Sequence, residues 1–260
     1  AAWAARPAER PTRLLDAAPL ARARALLASA PGSMLPESAA KAVLAECGLP
    51  VVAEELVPDL DAALRAADRL GYPVVLKAES PDLPHKTEAG VVRLDLRDAA
   101  MLREAYGGIE AALSVIRPAP RLRGMLVQPM VPRGVELIIG ARRDPVFGPV
   151  VAVGLGGVLV ELLQDTAVAP APLGLEQAGR MLRGLRGYPL LAGFRGGAGV
   201  DLEQLAAILC RVAELVAAEP GIAELDINPL ICAPGRILAV DALIALSPGL
   251  KAMDAASAAS

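Results

Sequence analysis

The stretch GYPVVLKAESPDLPHKTEAG, Gly71 to Gly90, decides how this chain is read. Its first half is apolar and β-branched, which predicts a strand over Pro73–Glu79. Its second half sets two prolines among polar residues, which predicts a loop from Ser80 to Gly90. Two side chains stand out. Lys77 closes an apolar run, and its ammonium has two readings. It is an edge-strand cation facing solvent, or a buried charge that needs an anion such as a phosphate beside it. His85 is the only histidine of the chain. A lone histidine is commonly structural or solvated. On a stiffened, exposed loop it is also a competent covalent nucleophile, and Lys86 and Thr87 beside it suit a transferred phosphoryl group.

The 260 residues around this stretch suffice for one domain or two subdomains. Net charge is −3 and the pI about 5.4, so no basic field recruits nucleic acid. Arginine heavily outnumbers lysine, and the lysines are Lys41, Lys77, Lys86 and Lys251. With arginine as the default surface cation, each lysine draws attention. Aromatic residues are scarce, so the core is expected to be aliphatic. Cys47, Cys210 and Cys232 are odd in number and lack CxxC spacing. They read as small buried side chains in a reducing cytosol rather than as a disulfide or zinc framework. The longest apolar run, Val146 to Val160, is broken by glycines and falls short of the about 20 residues of a membrane helix. A cytoplasmic chain without membrane association is expected. It starts at Ala1 and carries no signal-peptide pattern, so it reads as a piece of something longer.

Residues 1–33, rich in Ala, Arg and Pro, read as a linker with a short helix at Leu20–Ala28. Pro36 opens a helix that Gly48 ends. Val51–Val57 reads as a strand, and Asp59 caps a helix that stops at Gly71. After the central stretch come a strand at Val91–Leu96 and a helix from Asp98 through Tyr106 that runs on, with a break at Gly107–Gly108, toward Ile116. Strands follow at Gly124–Val131, Val135–Ala141, Pro149–Val153 and Val158–Leu163. Helices are expected at Leu175–Arg183 and Leu202–Glu219. Strands at Glu224–Ile227 and Ile237–Asp241 flank a turn at Pro234–Gly235. The order predicts an α+β chain with two sheets. The expected division is a subdomain over 34–123, a second over 124–248, and a frayed tail over 249–260.

Three further clusters carry chemistry. Gln128-Pro-Met130-Val131 precedes Gly134-Val-Glu136, where two strands meet at a Pro/Gly turn. This is an ordinary hairpin, or a crossing whose backbone reads an adenine edge while Glu136 accepts from ribose hydroxyls. Gly154-Leu-Gly156-Gly157 is a tight turn, or a place where backbone approaches phosphate closely. In Glu224-Leu-Asp226-Ile-Asn228-Pro229, alternation puts Glu224, Asp226 and Asn228 on one face of a strand, with Asp241 on its neighbour. These are solvated carboxylates beside a turn, or oxygen ligands that share Mg²⁺ with nucleotide phosphates.

Taken together and in this order, the clusters resemble the ATP-grasp domain of NDP-forming acyl-CoA synthetases and, more distantly, the β chain of succinyl-CoA synthetase. The resemblance runs from about Pro36 to Leu246. It is carried by SPDLPHKTEAGVV, RDPVFGPVVAVGLGGVLVELLQD, and ELDINPL with the later VDA. It implies an ATP-grasp fold of two α+β subdomains gripping ATP or ADP with Mg²⁺. It implies the reaction acyl-CoA + ADP + phosphate ⇌ acid + CoA + ATP, through phosphohistidine. His85 inherits the carrier role and Lys77 the phosphate-binding role. Glu136 is then the ribose-side acid, Gln128, Met130, Val131, Gly156 and Gly157 line the nucleotide, and Asn228 and Asp241 are the magnesium ligands. The resemblance also implies a CoA-binding partner module on the same or another chain, in a hetero- or homo-oligomer. The chain departs from the family pattern at Ala89, at Ala169 and Ala171, and in the Ala-Leu after Asp241. None of these removes a residue the chemistry requires. The competing reading is a non-catalytic, nucleotide-sensing module of a protein acetyltransferase, which an attached acetyltransferase domain would favour.

Overall fold

The structure, a computed structural model, describes residues 10–30, 32–83, 86, 88–157, 165–194 and 197–247. His85, the expected strand Val158–Leu163 and the expected tail lie outside the described residues. Helices α1 (Ala17–Ala28) and α2 (Glu37–Glu46) come first. A four-stranded sheet follows, built from β1 (Glu55–Val57), β2 (Val74–Glu79), β3 (Val92–Leu96) and β4 (Gly124–Pro129), with α3 (Leu60–Leu70) and α4 (Ala99–Val115) between its strands. A six-stranded sheet comes next, from β5 (Val135–Asp144), β6 (Gly148–Leu155), β7 (Thr166–Pro170), β8 (Ile222–Ala233), β9 (Arg236–Ala239) and β10 (Ala242–Leu246). Between β7 and β8 lie α5 (Leu175–Gly184), α6 (Tyr188–Ala192) and α7 (Leu202–Ala218).

Both sheets pair antiparallel throughout, in the orders β1-β4-β2-β3 and β10-β8-β5-β6-β7, with β9 on the far end of β8. Local signals set the helices. The carboxylates of Asp59, Asp98 and Asp201 accept from the amides of Ala62, Met101 and Gln204 and start α3, α4 and α7. Gly71, at φ +83°, ends α3. Helix α4 runs unbroken through Gly107–Gly108, contrary to the expected break. Burial of Leu102, Ala105, Tyr106 and Ile109 on the small sheet offsets the about 1 kcal/mol that each glycine costs a helix.

Each sheet has its own core. The smaller gathers Val74, Leu76 and Val127 with Ala63, Ala67, Leu102 and Ile109. The larger packs Leu137, Ile139, Val151 and Val153 against Ile208, Leu209, Val212 and Val216 of α7. Fully burying such a side chain contributes about 1.5–3 kcal/mol.

The cores redraw the expected division. The segment expected as a linker contributes Leu15, Ala23, Leu27 and Ala30 to the larger core. It is also tied down by polar contacts. Leu14 and Leu15 donate their amides to Glu214 on α7, and Arg24 grips Glu219. The apolar face of α1 is short, Leu20, Ala23, Leu26 and Leu27, and arginines interrupt it, so its pattern is faint in sequence. Helix α2 belongs to the larger core as well, through Ala40, Val43 and Leu44. Strand β4, placed by sequence in the second subdomain, lies inside the four-stranded sheet between β1 and β2. From Leu15 the chain therefore runs in the larger body, leaves it for residues of the small sheet, and returns at β5.

Candidate functional site

The seam between the two bodies is charged. Glu37 opens α2, and its side chain is fully buried. Its Oε1 accepts from Lys41 Nζ and from Lys77 Nζ, each at 2.8 Å. Its Oε2 lies 2.8 Å from Lys86 Nζ. Three of the four lysines in the sequence thus converge on one carboxylate. Burial pushes the Glu37 carboxyl upward, and Lys77, Lys41 and Lys86 together overcome it, holding the group well below the ordinary range. Burial likewise opposes the charge of Lys77, but Glu37 and Asp241 raise its pKa above the ordinary value. Lys41 is further bound to Glu54, to Gln128 Oε1 at 3.3 Å and to the Val240 carbonyl at 3.2 Å.

Lys77 settles the first open alternative. Strand β2 is interior, flanked by β4 and β3, so Lys77 is no edge cation. Its side chain is 5% exposed and also donates to the Val240 carbonyl at 3.3 Å.

Facing the lysines is the junction of β9 and β10. Asp241 places Oδ2 3.6 Å from Lys77 Nζ and Oδ1 3.9 Å from Lys86 Nζ. Burial raises the Asp241 pKa, and Glu37 adds to this against the pull of Lys77 and Lys86. The Asn228 amide donates to the Asp241 carbonyl at 3.2 Å, so these two residues sit side by side. Asn228 and its cis bond to Pro229 occupy the part of β8 where register with β5 shifts. Asp226, one pleat away, titrates at about 6. Burial is the main cause, and Glu224 and Asp241 add repulsion. The expected gathering of Glu224, Asp226 and Asp241 is therefore present. A cavity of about 20 Å³ lies beside it, lined by Glu37, Ser80, Lys86 and Asp241 among others.

The segment from Gln128 to Gly134 is not a hairpin, because β4 and β5 lie in different sheets. It is the return crossing from the smaller body to the larger. Gln128 is buried against Lys41, and Val131 is buried. The Met130 amide donates to the Pro73 carbonyl at 2.8 Å, so any contact Met130 makes to a ligand comes from its carbonyl or side chain.

Glu136 and the glycine pair are brought together. Leu137 on β5 is paired with Leu155 on β6, and the Gly156 amide donates to the Glu136 carbonyl at 2.6 Å. A Cβ on Gly157 would lie 2.8 Å from Glu136 Oε2, and Gly157 sits at φ +63°. A Cβ on Gly156 would lie 3.1 Å from the Glu136 backbone, so both glycines ease this approach. Leu137 and Ile139 face α7, so the alternate residues Glu136 and Gly140 lie on the other face of the sheet. Gly140 opposes Asp226 there. That open face carries Glu136, Asp226 and Asn228.

Sequence reasoning singled out Lys77 and Asp241 but missed Glu37 and gave Lys41 no role. A larger cavity of about 420 Å³ lies between α5 and α7, lined by Leu175, Gly179, Arg183 and Tyr188 but by none of these charged residues. Among the described residues no group of three or more His, Cys, Asp or Glu is placed to hold a metal ion by itself. No helix among them is long and apolar enough to cross a membrane.

The model of an "ATP-grasp domain" family matches residues 27–246. The chain belongs to that family. It is similar to the β subunit of ADP-forming acetate–CoA ligase I of Pyrococcus furiosus, with 38% identity over 229 residues, 87% of this chain and 99% of that one. Among solved structures it is similar to the dinucleotide-forming acetyl-coenzyme A synthetase 1 of Ca. Korarchaeum cryptofilum in complex with coenzyme A, Ca-AMPCP and HgCl+. That match has 40% identity and a TM-score of 0.80, covering 84% of this chain and 95% of that one. A second structure of that enzyme holds coenzyme A and Mg-AMPPCP, with its phosphohistidine segment pointing towards the nucleotide binding site. It matches at 39% identity and a TM-score of 0.74, covering 86% of this chain and 100% of that one. The ATP-grasp chain described here is thus the β-subunit type of module of an ADP-forming acyl-CoA synthetase.

Proposed function

We propose that this module moves a phosphoryl group between His85 and ADP at the seam between its two bodies. Acyl-CoA chemistry is left to a CoA-binding partner module. The observation that carries the reading is Lys77: an ammonium inside an interior strand, turned to the seam and facing Asp241. The residues present fit a magnesium nucleotide. Asn228 and Asp241 offer adjacent oxygen donors; burial lifts Asp226 first, and the smaller part that Glu224 and Asp241 add is repulsion a cation relieves. Two protein ligands suit Mg²⁺ shared with phosphates, and the ion when bound neutralises charge on the phosphate oxygens.

The chain's own groups then divide the work. Lys77 holds a phosphate oxygen. Gly156 and Gly157 let backbone and the Glu136 carboxylate approach the nucleotide. The crossing at Gln128, Met130 and Val131 borders the base. His85 offers an imidazole nitrogen to the terminal phosphoryl group; the nitrogen–phosphorus bond forms as the phosphorus–oxygen bond to ADP breaks, and the reverse step makes ATP. Burial of the cysteine side chains without a disulfide fits a cytoplasmic setting.

Calorimetry with MgADP on the wild type and on Lys77→Ala tests the binding half. The wild type binds and the variant loses at least tenfold; no binding by the wild type at millimolar nucleotide would sink the reading. Incubation with the partner module, acyl-CoA and phosphate tests the transfer half. An acid-labile phosphate appears on the wild type, whereas His85→Ala binds MgADP normally but carries no label. A label that survives acid, or ATP formation by His85→Ala, leaves the sensing-module reading ahead.

A further inference from the structure

We infer that Glu37 is a positioning residue that sets Lys77 and Lys86 as a two-pronged fork for a single phosphoryl group. The inference rests on the reading of Lys77 as a phosphate contact. Lys77 lies within β2 and Lys86 on the loop that follows, and no local structure brings their ammonium groups together. Glu37, from the other body, does so. Its Oε1 accepts a hydrogen bond from Lys77 at 2.8 Å, and its Oε2, which has no hydrogen-bond partner, makes an ion pair with Lys86 at 2.8 Å.

Asp241 closes the figure from the opposite side, at 3.6 Å from Lys77 and 3.9 Å from Lys86. The four side chains form a ring of alternating charge, and the ring is lopsided. The contacts to Glu37 are of hydrogen-bond length, whereas those to Asp241 are longer. The Glu37 side chain is wholly enclosed, while that of Asp241 is 31% exposed. Glu37 is the fixed member and Asp241 the exchangeable one. An ammonium group has three donors. Lys77 commits two, to Glu37 and to the Val240 carbonyl, and the remaining one lies toward Asp241. A phosphate arriving at Asp241 with a divalent cation meets two ammonium groups already in place. Holding two long, flexible side chains in advance removes an entropic cost from binding.

Lys41 serves the same device without reaching the ligand. Its ammonium is shared among Glu37, Glu54, Gln128 and the Val240 carbonyl, so it braces Glu37 from behind. Lysine stands at all three places. An ammonium is a compact point charge with three donors, so three of them can share one carboxylate.

The test titrates MgADP by calorimetry into wild type, Lys86→Met, Glu37→Gln, Glu37→Asp and the Lys86→Met/Glu37→Gln pair. A wild type that does not bind overturns the nucleotide reading itself, before the fork is in question. With wild-type binding in hand, Lys86→Met is expected to weaken MgADP about tenfold. Glu37→Gln should weaken it to a similar degree, the pair should be little worse than either alone, and Glu37→Asp should recover part of the loss. Wild-type affinity in Lys86→Met overturns the fork. Losses that multiply in the pair overturn the link between Glu37 and Lys86. Should Glu37→Gln not fold, Glu37→Asp takes its place in the cycle under the same two criteria.

Discussion

Glu79, the last residue of β2, accepts both the amide and the hydroxyl of Ser38 on α2, at 3.2 and 2.6 Å. The contact crosses from the smaller body to the larger, beside the Glu37 cluster. The other oxygen of Glu79 is buried without a hydrogen-bond partner. Ser38→Ala leaves a buried carboxylate with one donor fewer, and hydrogen bonds to charged groups contribute about 1.5–3 kcal/mol. Urea denaturation is expected to show a loss in that range. An unchanged midpoint would mean that the two bodies are held elsewhere.

Asp241→Asn separates metal from nucleotide. The exchange keeps shape and removes the charge that Mg²⁺ needs, so affinity for MgADP should fall more than affinity for metal-free ADP. Loss of a carboxylate that faces Lys77 and Lys86 favours the bare anion, which widens the gap. Titrations with and without magnesium read the ratio directly, and an unaltered ratio removes Asp241 from the metal site.

Gly157→Ala tests the close approach to Glu136. The new methyl would lie 2.8 Å from Glu136 Oε2, at a backbone angle of φ +63° that L residues disfavour. The left-handed conformation costs about 1–2 kcal/mol, and the Glu136 carboxylate has to turn aside. The expected outcome is a folded protein with a slightly lower melting temperature and at least tenfold weaker MgADP binding. Unchanged affinity would remove the glycine pair from the nucleotide site.

Asp226 predicts a pH dependence with a definite sign. Its folded pKa of about 6 stands above the ordinary 3.8, so the folded state holds its proton more tightly than the unfolded chain does. The stability this proton contributes is complete below 3.8 and is lost as pH rises through about 6. Relative to wild type without magnesium, Asp226→Asn should therefore gain stability between those values and keep a constant gain above them. Melting curves at pH 4, 5, 6 and 8 check it. A gain that is largest at pH 4 would reverse the assignment.

The fold was largely legible where local signals are strong. Asp59, Gly71 and Asp98 mark helix ends in the sequence as they do in the structure. What stayed open or was missed has physical causes. Gln128 to Glu136 read equally as a hairpin or a crossing because Pro132 and Gly134 are turn residues, and turn chemistry does not say which sheet the next strand joins. Strand β7 and helix α6 are five residues each and carry little pattern. In the site, Lys77 and Asp241 were visible as polar residues inside apolar strands. Glu37 was not, since an acid in the first turn of a helix is ordinary there. Its partners lie 40 and 49 residues away in sequence, beyond any local pattern. The available clue was the scarcity of lysine together with the i,i+4 spacing of Glu37 and Lys41.

The smaller body leaves and rejoins the larger one along neighbouring strands. Glu55 near its start lies opposite Val127 near its end. Both threads therefore run together at one edge, and the intervening stretch is a cassette whose two ends are close in space. Such a cassette is exchangeable as one contiguous piece, because the larger body keeps its sheet and its helices without it. The charge ring cannot be moved with it. Lys77 and Lys86 travel with the cassette while Glu37 and Asp241 stay behind, so a transplanted copy works only in a host that supplies both carboxylates.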